Sequence, residues 1–461
     1  MKRIAIVGGG IAGLSAAFTL EKLRRTQSIP IEYTVFEASS RLGGVLLTEH
    51  VDGCQVEGGP DSFLTEKPWA SDLCRELGLG EQLIGSNDSE RRTYILVNGK
   101  LVEIPDGLMF MVPTKILPVV FSPLFSFSTK IRMASEWFHP PRTAVGDESV
   151  AQMVERHYGA EMVDRLADPL LSGVYGGDAA QLSVRAVLPR FAEMETKYGS
   201  LGRAMLTARN KSQRKAPPRP LFTSLTGGMQ QLADAIVRQL SPASLMTNSR
   251  VESVNLRNST WEVSHGDDTR QFDSVILAVP AYVASTLLET VNPQLAHELS
   301  GIGYTSSLTI NLAYGDKVRQ LLPPGFGFLV PRSESRRLLA CTFVHTKFPH
   351  RASPDRALLR CFMAGTRNEA LMGAADDEIV RIVRNELREI IGLAAEPIFT
   401  RVYRWDRAMA QYGVGHLERL ERIEQLRTHI PGLFLAGNGY RGIGVPDCIR
   451  SGTEAGRGAL Q

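Results

Sequence analysis

The apolar positions of this chain open with an unbroken run, residues 4–7 (IAIV), and after a stretch of helical spacing a second run occupies residues 31–36 (IEYTVF). Short apolar runs of this kind read as strands of the buried, parallel type, and the helical period between them completes a strand–helix–strand unit. Gly8, Gly10 and Gly13 fall between the first strand and the helix, which the pattern starts at about Leu14. After Phe63 the spacing changes to polar helical, as in "ASDLCRELGLGEQL", and from about Val97 to Leu206 it predicts mostly helices punctuated by Pro and Gly. The run "ARNKSQRKAPPRP", ending at Pro220, is basic, proline-broken and poor in large apolar residues, and predicts a solvated loop.

Parallel-sheet signals then return. Gly227 and Gly228 precede an amphipathic helix, residues 251–254 followed by "WEVSH" predict a β-hairpin meander, and "SVILAVP" (274–280) reads as a buried strand. Alternating strands dominate from about Tyr282 to Arg401, and the last segment begins at "RWDRAMAQY". It ends in a buried strand (433–436) that runs into Gly437, Gly439, Gly442 and Gly444 and then a terminal helix. The expected fold is α/β: a Rossmann-like lobe assembled from 1–67, 221–281 and 402–461, a mixed-sheet lobe from 68–96 and 282–401, and a helical lobe from 97–220.

The glycines carry the first chemical signal. Gly8, Gly10 and Gly13 have the G-x-G-x-x-G spacing that brings backbone N–H groups at a helix start against a pyrophosphate. Glu37 ends the second strand at the offset where a carboxylate holds ribose hydroxyls. The turn that follows, Arg41-Leu42-Gly43-Gly44, is typical of FAD enzymes rather than NAD enzymes: adjacent glycines admit the diphosphate, and Arg41 can neutralise it. A glycine-dense turn before the C-terminal helix offers a second place where backbone approaches a flat or anionic ligand.

Composition changes the picture by exclusion. A length of 461 residues supports two or three lobes, and a net charge of +3 without a long basic run gives no case for nucleic acid. Five scattered cysteines with no C-x-x-C argue against a disulfide framework and against zinc, and no metal-ligand cluster, G-x-S-x-G or catalytic Cys/His context appears. A reducing cytoplasm is expected, with no room for a signal peptide ahead of the first strand. One stretch, "ILPVVFSPLFSF" (116–127), carries no charge, but Lys115, Pro118 and Pro123 keep it below the roughly 20 residues of a spanning helix. Two readings stay open for it: a core segment, or a surface that dips into a membrane or walls a greasy channel.

Taken together, "EGGPDSFLTEK" (57–67), "YILVNGKLVEIP" (94–105), "DPLLSGVYGGDAAQLSVRAVLPRF" (168–191), "CTFVHTKFPHR" (341–351) and "GNGYRGIGVPDCIRSG" (437–452) resemble the FAD-containing amine oxidase superfamily and, within it, the bacterial porphyrinogen oxidases. The resemblance spans nearly the whole chain. It implies non-covalent FAD, held at its diphosphate and ribose by Gly8, Gly10, Ile11, Ala12, Gly13, Glu37, Ala38, Arg41, Gly43 and Gly44, and at its adenine by the backbone of Val251. Gly437, Gly442, Ile443, Gly444 and Val445 would lie along the isoalloxazine, with Gly59, Pro60, Asp61 and Ser62 passing close to it. Gly173 would present a backbone carbonyl to the pyrrole N–H groups of a porphyrinogen, with no side-chain acid or base required. Lys67 and Arg92 (or Arg91) would meet its carboxylates, and Phe348 and Met109 would wall its pocket.

The implied reaction takes hydride from a meso carbon to the flavin, with oxygen as final acceptor, over three rounds. The similarity places coproporphyrinogen III slightly ahead of protoporphyrinogen IX. It also implies peripheral membrane contact, transient docking to a chelatase, and a monomer or homodimer. Cys448, beside the flavin-side turn, reads as a small buried thiol rather than a covalent flavin ligand. The rival readings are another amine-oxidase relative acting on an amine or carotenoid, and a carrier that keeps the fold without redox chemistry.

Overall fold

The computed structural model describes residues 1–142, 146–212 and 219–461, together with the backbone but not the side chains of Met109 and residues 209–212. In chain order the elements used below are β1 (Lys2–Val7), α1 (Ile11–Gln27), β2 (Ile31–Phe36), α2 (Pro68–Glu76), β3 (Thr93–Val97), β4 (Lys100–Glu103), α3 (Ile116–Phe121), α4 (Phe127–Ser135), α5 (Asp168–Tyr175) and α6 (Leu201–Ser212). They continue with β5 (Leu245–Met246), β6 (Ser274–Leu277), α7 (Ala281–Leu288), α8 (Pro293–Ser300), β7 (Gly303–Gly315), β8 (Gly327–Leu329), β9 (Ala340–Phe343), β10 (Arg356–Ala364), β11 (Phe399–Gln411), α9 (His416–Thr428), β12 (Leu433–Leu435) and α10 (Val445–Gly458).

The first apolar run does what its pattern demands. β1 lies in the middle of a five-stranded parallel sheet, order β5-β2-β1-β6-β12, where Ile4, Ala5 and Ile6 are fully buried because α1 and α10 cover one face and the meander strands Val251–Arg257, Thr260–His265 and Asp268–Phe272 cover the other. The strands come from the beginning, middle and end of the sequence. α1 begins three residues before the predicted Leu14, inside the glycine fingerprint, since glycine at these positions does not break a helix whose first turn needs no side-chain support.

A seven-stranded mixed sheet, order β11-β7-β10-β9-β8-β3-β4, builds the second lobe, with the helix Asp376–Ile391 packed on it through Ile379, Val383 and Leu387. Several predicted boundaries move. α2 packs Ala70, Leu73 and Cys74 into the core shared with α1 and α10, and α7 and α8 join the core beneath the parallel sheet, so neither belongs with the mixed sheet. β4 is a strand of the mixed sheet, although the helical lobe was expected to begin at 97. "RWDRAMAQY" is the second half of β11 rather than the start of the last segment. The basic run opens as the end of α6, and residues 213–218 lie outside the described residues.

The helical lobe settles the apolar stretch by dividing it. Val119, Leu124 and Phe125 enter its core, while Ile116 (77% exposed), Phe121 (81%) and Phe127 (78%) face outward from α3 and α4. Among the described residues no helix is long and apolar enough to cross a membrane. Deeper in the same lobe, buried His157 lies 3.1 Å from Glu136 through Nδ1 and 3.0 Å from Glu195 through Nε2, with Arg156 also on Glu195 and the His139 ring 5.1 Å away. Burial opposes charge on His157, but the two carboxylates overcome it and raise its pKa. Burial likewise opposes ionisation of Glu195, yet His157 and Arg156 bring it down to about 2.

A raised histidine stabilises the fold below its unfolded value and loses that contribution as pH rises through its folded value. A depressed carboxylate stabilises above its unfolded value and loses the contribution as pH falls toward its folded value. The cluster therefore contributes most between about pH 4.5 and 6.5. His157→Gln is expected to lower unfolding stability by about 3 kcal/mol in that window and by less as pH rises beyond it, measured by urea denaturation across pH.

Candidate cofactor and substrate site

Two glycine turns meet at the carboxyl ends of the central strands of the parallel sheet. Gly8 donates to the Phe36 carbonyl (2.8 Å), and a Cβ on Gly13 would stand 1.9 Å from the Gly8 carbonyl oxygen, so the helix start fits against the strand end only without a side chain. The second turn lies on the first: Gly43 donates to the Gly9 carbonyl (2.8 Å), and a Cβ on Gly44 would be 3.1 Å from the Gly10 Cα. No side chain caps α1, a Cβ placed on Gly10 would meet open space, and the N–H groups of Ala12 and Gly13 have no protein partner among the described residues. Glu37 fixes the approach: Oε2 accepts from the Gly9 N–H (2.7 Å) and keeps acceptor capacity, while Oε1 accepts from the N–H and hydroxyl of Ser39 (2.8 Å each). Ala38 is exposed beside it. Ser249 donates to the Glu37 carbonyl (2.8 Å), which brings the strand carrying Val251 alongside.

Arg41 behaves differently from the sequence expectation. Its guanidinium donates to the carbonyls of Leu42 (3.1 Å), Leu46 (2.7 Å) and Gly44, stitching its own turn, and burial draws its pKa below the ordinary value. It holds the two adjacent glycines in shape.

The C-terminal turn repeats the theme at a distance. Gly437 donates to Ser451 Oγ (3.0 Å), Gly442 has φ +108° and donates to the Tyr412 hydroxyl (2.9 Å), and Gly444 opens α10 without a side-chain cap. The N–H groups of Ile443, Gly444 and Val445 have no protein partner among the described residues. α10 lies parallel to α1, because a Cβ on Gly452 would touch the Ala12 carbonyl oxygen (2.0 Å) and one on Gly456 the Ala16 carbonyl oxygen (2.8 Å), the same offset at both. From that register α10 starts six residues ahead of α1, about 9 Å at 1.5 Å per residue. Two uncapped helix starts, facing one way and staggered by that length, fit a long ligand with anionic or electron-rich groups at both ends. The diphosphate and ring system of FAD meet this description.

The segment Gly59-Pro60-Asp61-Ser62 is held by cations of the mixed-sheet lobe. Arg360 donates to the Gly59 carbonyl (2.6 Å), Arg351 to the Asp61 carbonyl (2.7 Å), and Lys347 pairs with the Asp61 carboxylate (2.8 Å), which also takes the Ser62 hydroxyl (2.8 Å). Burial opposes ionisation of Asp61, but Lys347, Arg360 and Arg351 hold it well below the usual carboxylate range. Sequence reasoning missed this cluster; the available signal was Arg360, a charge in the middle of the apolar strand "RALLRCFMA". Phe348, expected as a pocket wall, is fully buried with the Arg351 guanidinium 4.4 Å over its ring, so it packs the cluster instead.

Gly173 is exposed two residues before the end of α5, with open space where its Cβ would be; the helix-ending glycine is Gly176, in the left-handed region. Lys67 Nζ lies 2.5 Å from Asp447 Oδ2 in the first turn of α10, its own side chain 38% exposed. Lys67 and the C-terminal glycine turn therefore converge. Arg92 stands exposed at the start of β3, its carbonyl accepting from the Phe326 N–H, and the Met109 side chain lies outside the described residues. Burial, with Asp447 beside it, pushes the Cys448 thiol up to about 12, which leaves it protonated and a poor partner for a covalent flavin link.

Comparison with known proteins agrees with this geometry. Residues 11–460 match the family described as flavin containing amine oxidoreductase. The coproporphyrinogen III oxidase of Bacillus subtilis (strain 168) is 35% identical over 465 residues, covering 100% of this chain and 98% of its own. The chloroplastic/mitochondrial protoporphyrinogen oxidase 2 of Arabidopsis thaliana is 30% identical, covering 98% of this chain and 93% of its own. A crystal structure from Exiguobacterium sp. 255-15, assigned as a protoporphyrinogen oxidase, superposes with a TM-score of 0.89 at 30% identity and covers 99% of this chain and 98% of its own. Cyclohexylamine oxidase from Brevibacterium oxydans IH-35A shares the fold, with a TM-score of 0.72 at 17% identity and coverage of 99% of this chain and 98% of its own. With its paired glycine turns, staggered helix starts and full-length match, this chain belongs to the flavin-containing amine oxidoreductase family.

Proposed function

We propose that this chain oxidises a porphyrinogen to the porphyrin with non-covalent FAD and molecular oxygen, and that coproporphyrinogen III is preferred over protoporphyrinogen IX. The observation that carries the reading is the reach of the likeness to the Bacillus subtilis enzyme, 100% of this chain, which includes the substrate-facing lobes as well as the cofactor lobe. When bound, the flavin supplies a hydride acceptor that oxygen can regenerate with release of hydrogen peroxide. The chain's residues bind and orient. The unpartnered N–H groups of Ala12 and Gly13 would hold the diphosphate, and Glu37 Oε2 would take a ribose hydroxyl. Those of Ile443, Gly444 and Val445, at the positive end of α10, would hold the ring-system end of the cofactor and would stabilise negative charge there.

The substrate must lose protons from pyrrole nitrogens as well as hydride from carbon. The Gly173 carbonyl, exposed on α5, is an acceptor suited to those N–H groups, and Lys67 is a cation within reach of a carboxylate at the macrocycle's edge. The exposed face of α3 and α4, with Ile116, Phe121 and Phe127 outward, is read as a peripheral membrane contact, which suits an enzyme acting on an apolar macrocycle.

Three measurements check these readings. Steady-state oxidation of coproporphyrinogen III and protoporphyrinogen IX, side by side, is expected to favour the former; inactivity on both in an FAD-loaded sample would sink the proposal. Lys67→Met is expected to raise KM for coproporphyrinogen III about tenfold while kcat stays within about twofold, as for loss of one charge-assisted bond to substrate. Phe121→Glu with Phe127→Glu is expected to abolish sedimentation with phospholipid vesicles and to leave turnover in detergent-free buffer unchanged.

A further inference from the structure

Tyr412 follows the last residue of β11 and is 1% exposed. Its hydroxyl donates to the Asn438 carbonyl (2.6 Å) and accepts from the Gly442 N–H (2.9 Å), so a single phenol bridges the turn between β12 and α10. The ring is fixed on both sides. It stacks on His416 at 4.1 Å and 14°, and the edge contact with Tyr175 at the end of α5 is 6.0 Å between centroids. His416 Nε2 lies 2.9 Å from the Tyr440 carbonyl, which can only accept, so that nitrogen carries the proton. Burial holds the His416 pKa below its ordinary value, leaving the imidazole neutral.

The preceding side chain reaches the other way. Gln411 Nε2 donates to the Tyr175 carbonyl (2.6 Å) and to Thr305 Oγ1 (3.1 Å), and a Cβ on Gly177 would collide with Gln411 Oε1 at 2.0 Å. Two consecutive residues at one strand end thus grip the end of α5, two positions after Gly173, and the turn ahead of α10. The strand end belongs to the mixed sheet, α5 to the helical lobe and α10 to the parallel-sheet lobe, so this is where all three lobes are pinned together.

We propose that Gln411 and Tyr412 are positioning residues that set the gap between the substrate-presenting end of α5 and the flavin-facing start of α10, with Tyr412 governing the cofactor side. The substrate half of this proposal rests on the porphyrinogen reading; the cofactor half rests on the turn geometry alone. Because Tyr412 takes the Gly442 N–H, the amides this turn offers to the flavin are those of Ile443, Gly444 and Val445, which narrows the sequence expectation by one donor.

Tyr412→Phe keeps the stack and the edge contact and removes only the hydroxyl. In the holoenzyme it is expected to release FAD on dilution about tenfold faster, followed by flavin fluorescence, and to shift the visible flavin band, with substrate KM within about twofold. Gln411→Leu is expected to leave FAD release and the flavin band unchanged and to slow flavin reduction by saturating coproporphyrinogen III under anaerobic conditions. Wild-type FAD release and an unshifted band in Tyr412→Phe would overturn the cofactor half; wild-type flavin reduction in Gln411→Leu would overturn the substrate half. If the unaltered enzyme binds FAD but oxidises no porphyrinogen, the functional reading fails while FAD release and the flavin band still test Tyr412. Should Tyr412→Phe not fold, amide exchange in the unaltered, FAD-free protein substitutes: slow exchange at Gly442 supports the phenol bridge, and exchange at open-loop rates overturns it.

Discussion

The close parallel contact of the first helix with the last is the constraint from which the site follows. Gly452 and Gly456 of α10 lie against the Ala12 and Ala16 carbonyls of α1, closer than any side chain permits, and this register fixes how far one helix start stands beyond the other. Neither helix start is capped by a side chain. In an apo chain such N–H groups are a cost, because buried or half-buried donors without partners destabilise. A ligand long enough to reach both removes that cost at both ends, so binding and the geometry of the two helix starts are linked.

How much of this could be read from the sequence depended on the range of the interaction. The strands at 4–7 and 31–36, the glycine turns and the strand before the C-terminal helix were legible because local steric and hydrophobic rules act within a few residues. The parallel strands at 274–277 and 433–435 were legible for the same reason, since each carries its own apolar run. Lobe boundaries were not. α2 and α7 are amphipathic helices whose apolar faces fit either neighbouring core, and nothing within their own residues says which sheet they cover. The stretch 116–127 divides for a local reason: α3 runs through Pro118 and ends at Phe121, before Ser122, so that Val119 and Leu124 turn inward while Phe121 and Phe127 turn out.

The site was legible where glycine marks it and opaque where side chains converge from distant segments. Glu37 and the 437–445 turn could be named from spacing. Tyr412 could not, because its two partners are Asn438 and Gly442, reached across α9 and β12. Phe348 illustrates the converse error: an aromatic near a family-like motif invites a pocket role, yet its ring supports Arg351 and Lys347 instead. Lys67 was assigned to a substrate carboxylate, and its partner in the fold is a carboxylate of the chain, Asp447, so a bound substrate would compete for a cation already engaged.

The polarity of the lobe junction is the remaining step. Across it, the mixed-sheet lobe contributes the donors: Lys347, Arg351, Arg356, Arg360, Arg401 and the Trp405 indole N–H. The first segment of the chain contributes the acceptors: Glu49, Asp52, Glu57, Asp61 and the carbonyls of Gly58 and Gly59. Buried ion pairs add little net stability over well-packed apolar residues, because desolvation offsets most of the attraction. Their consequence lies in the alternatives. Sliding one lobe past the other by a residue would strand Arg351 and Glu57 without partners in a site from which water is excluded, whereas an apolar interface would tolerate the slip. The junction therefore buys register more than stability. That register keeps residues 59–62 fixed against the mixed-sheet lobe that carries Gln411 at the end of β11, as precise placement of a hydride donor against its acceptor demands.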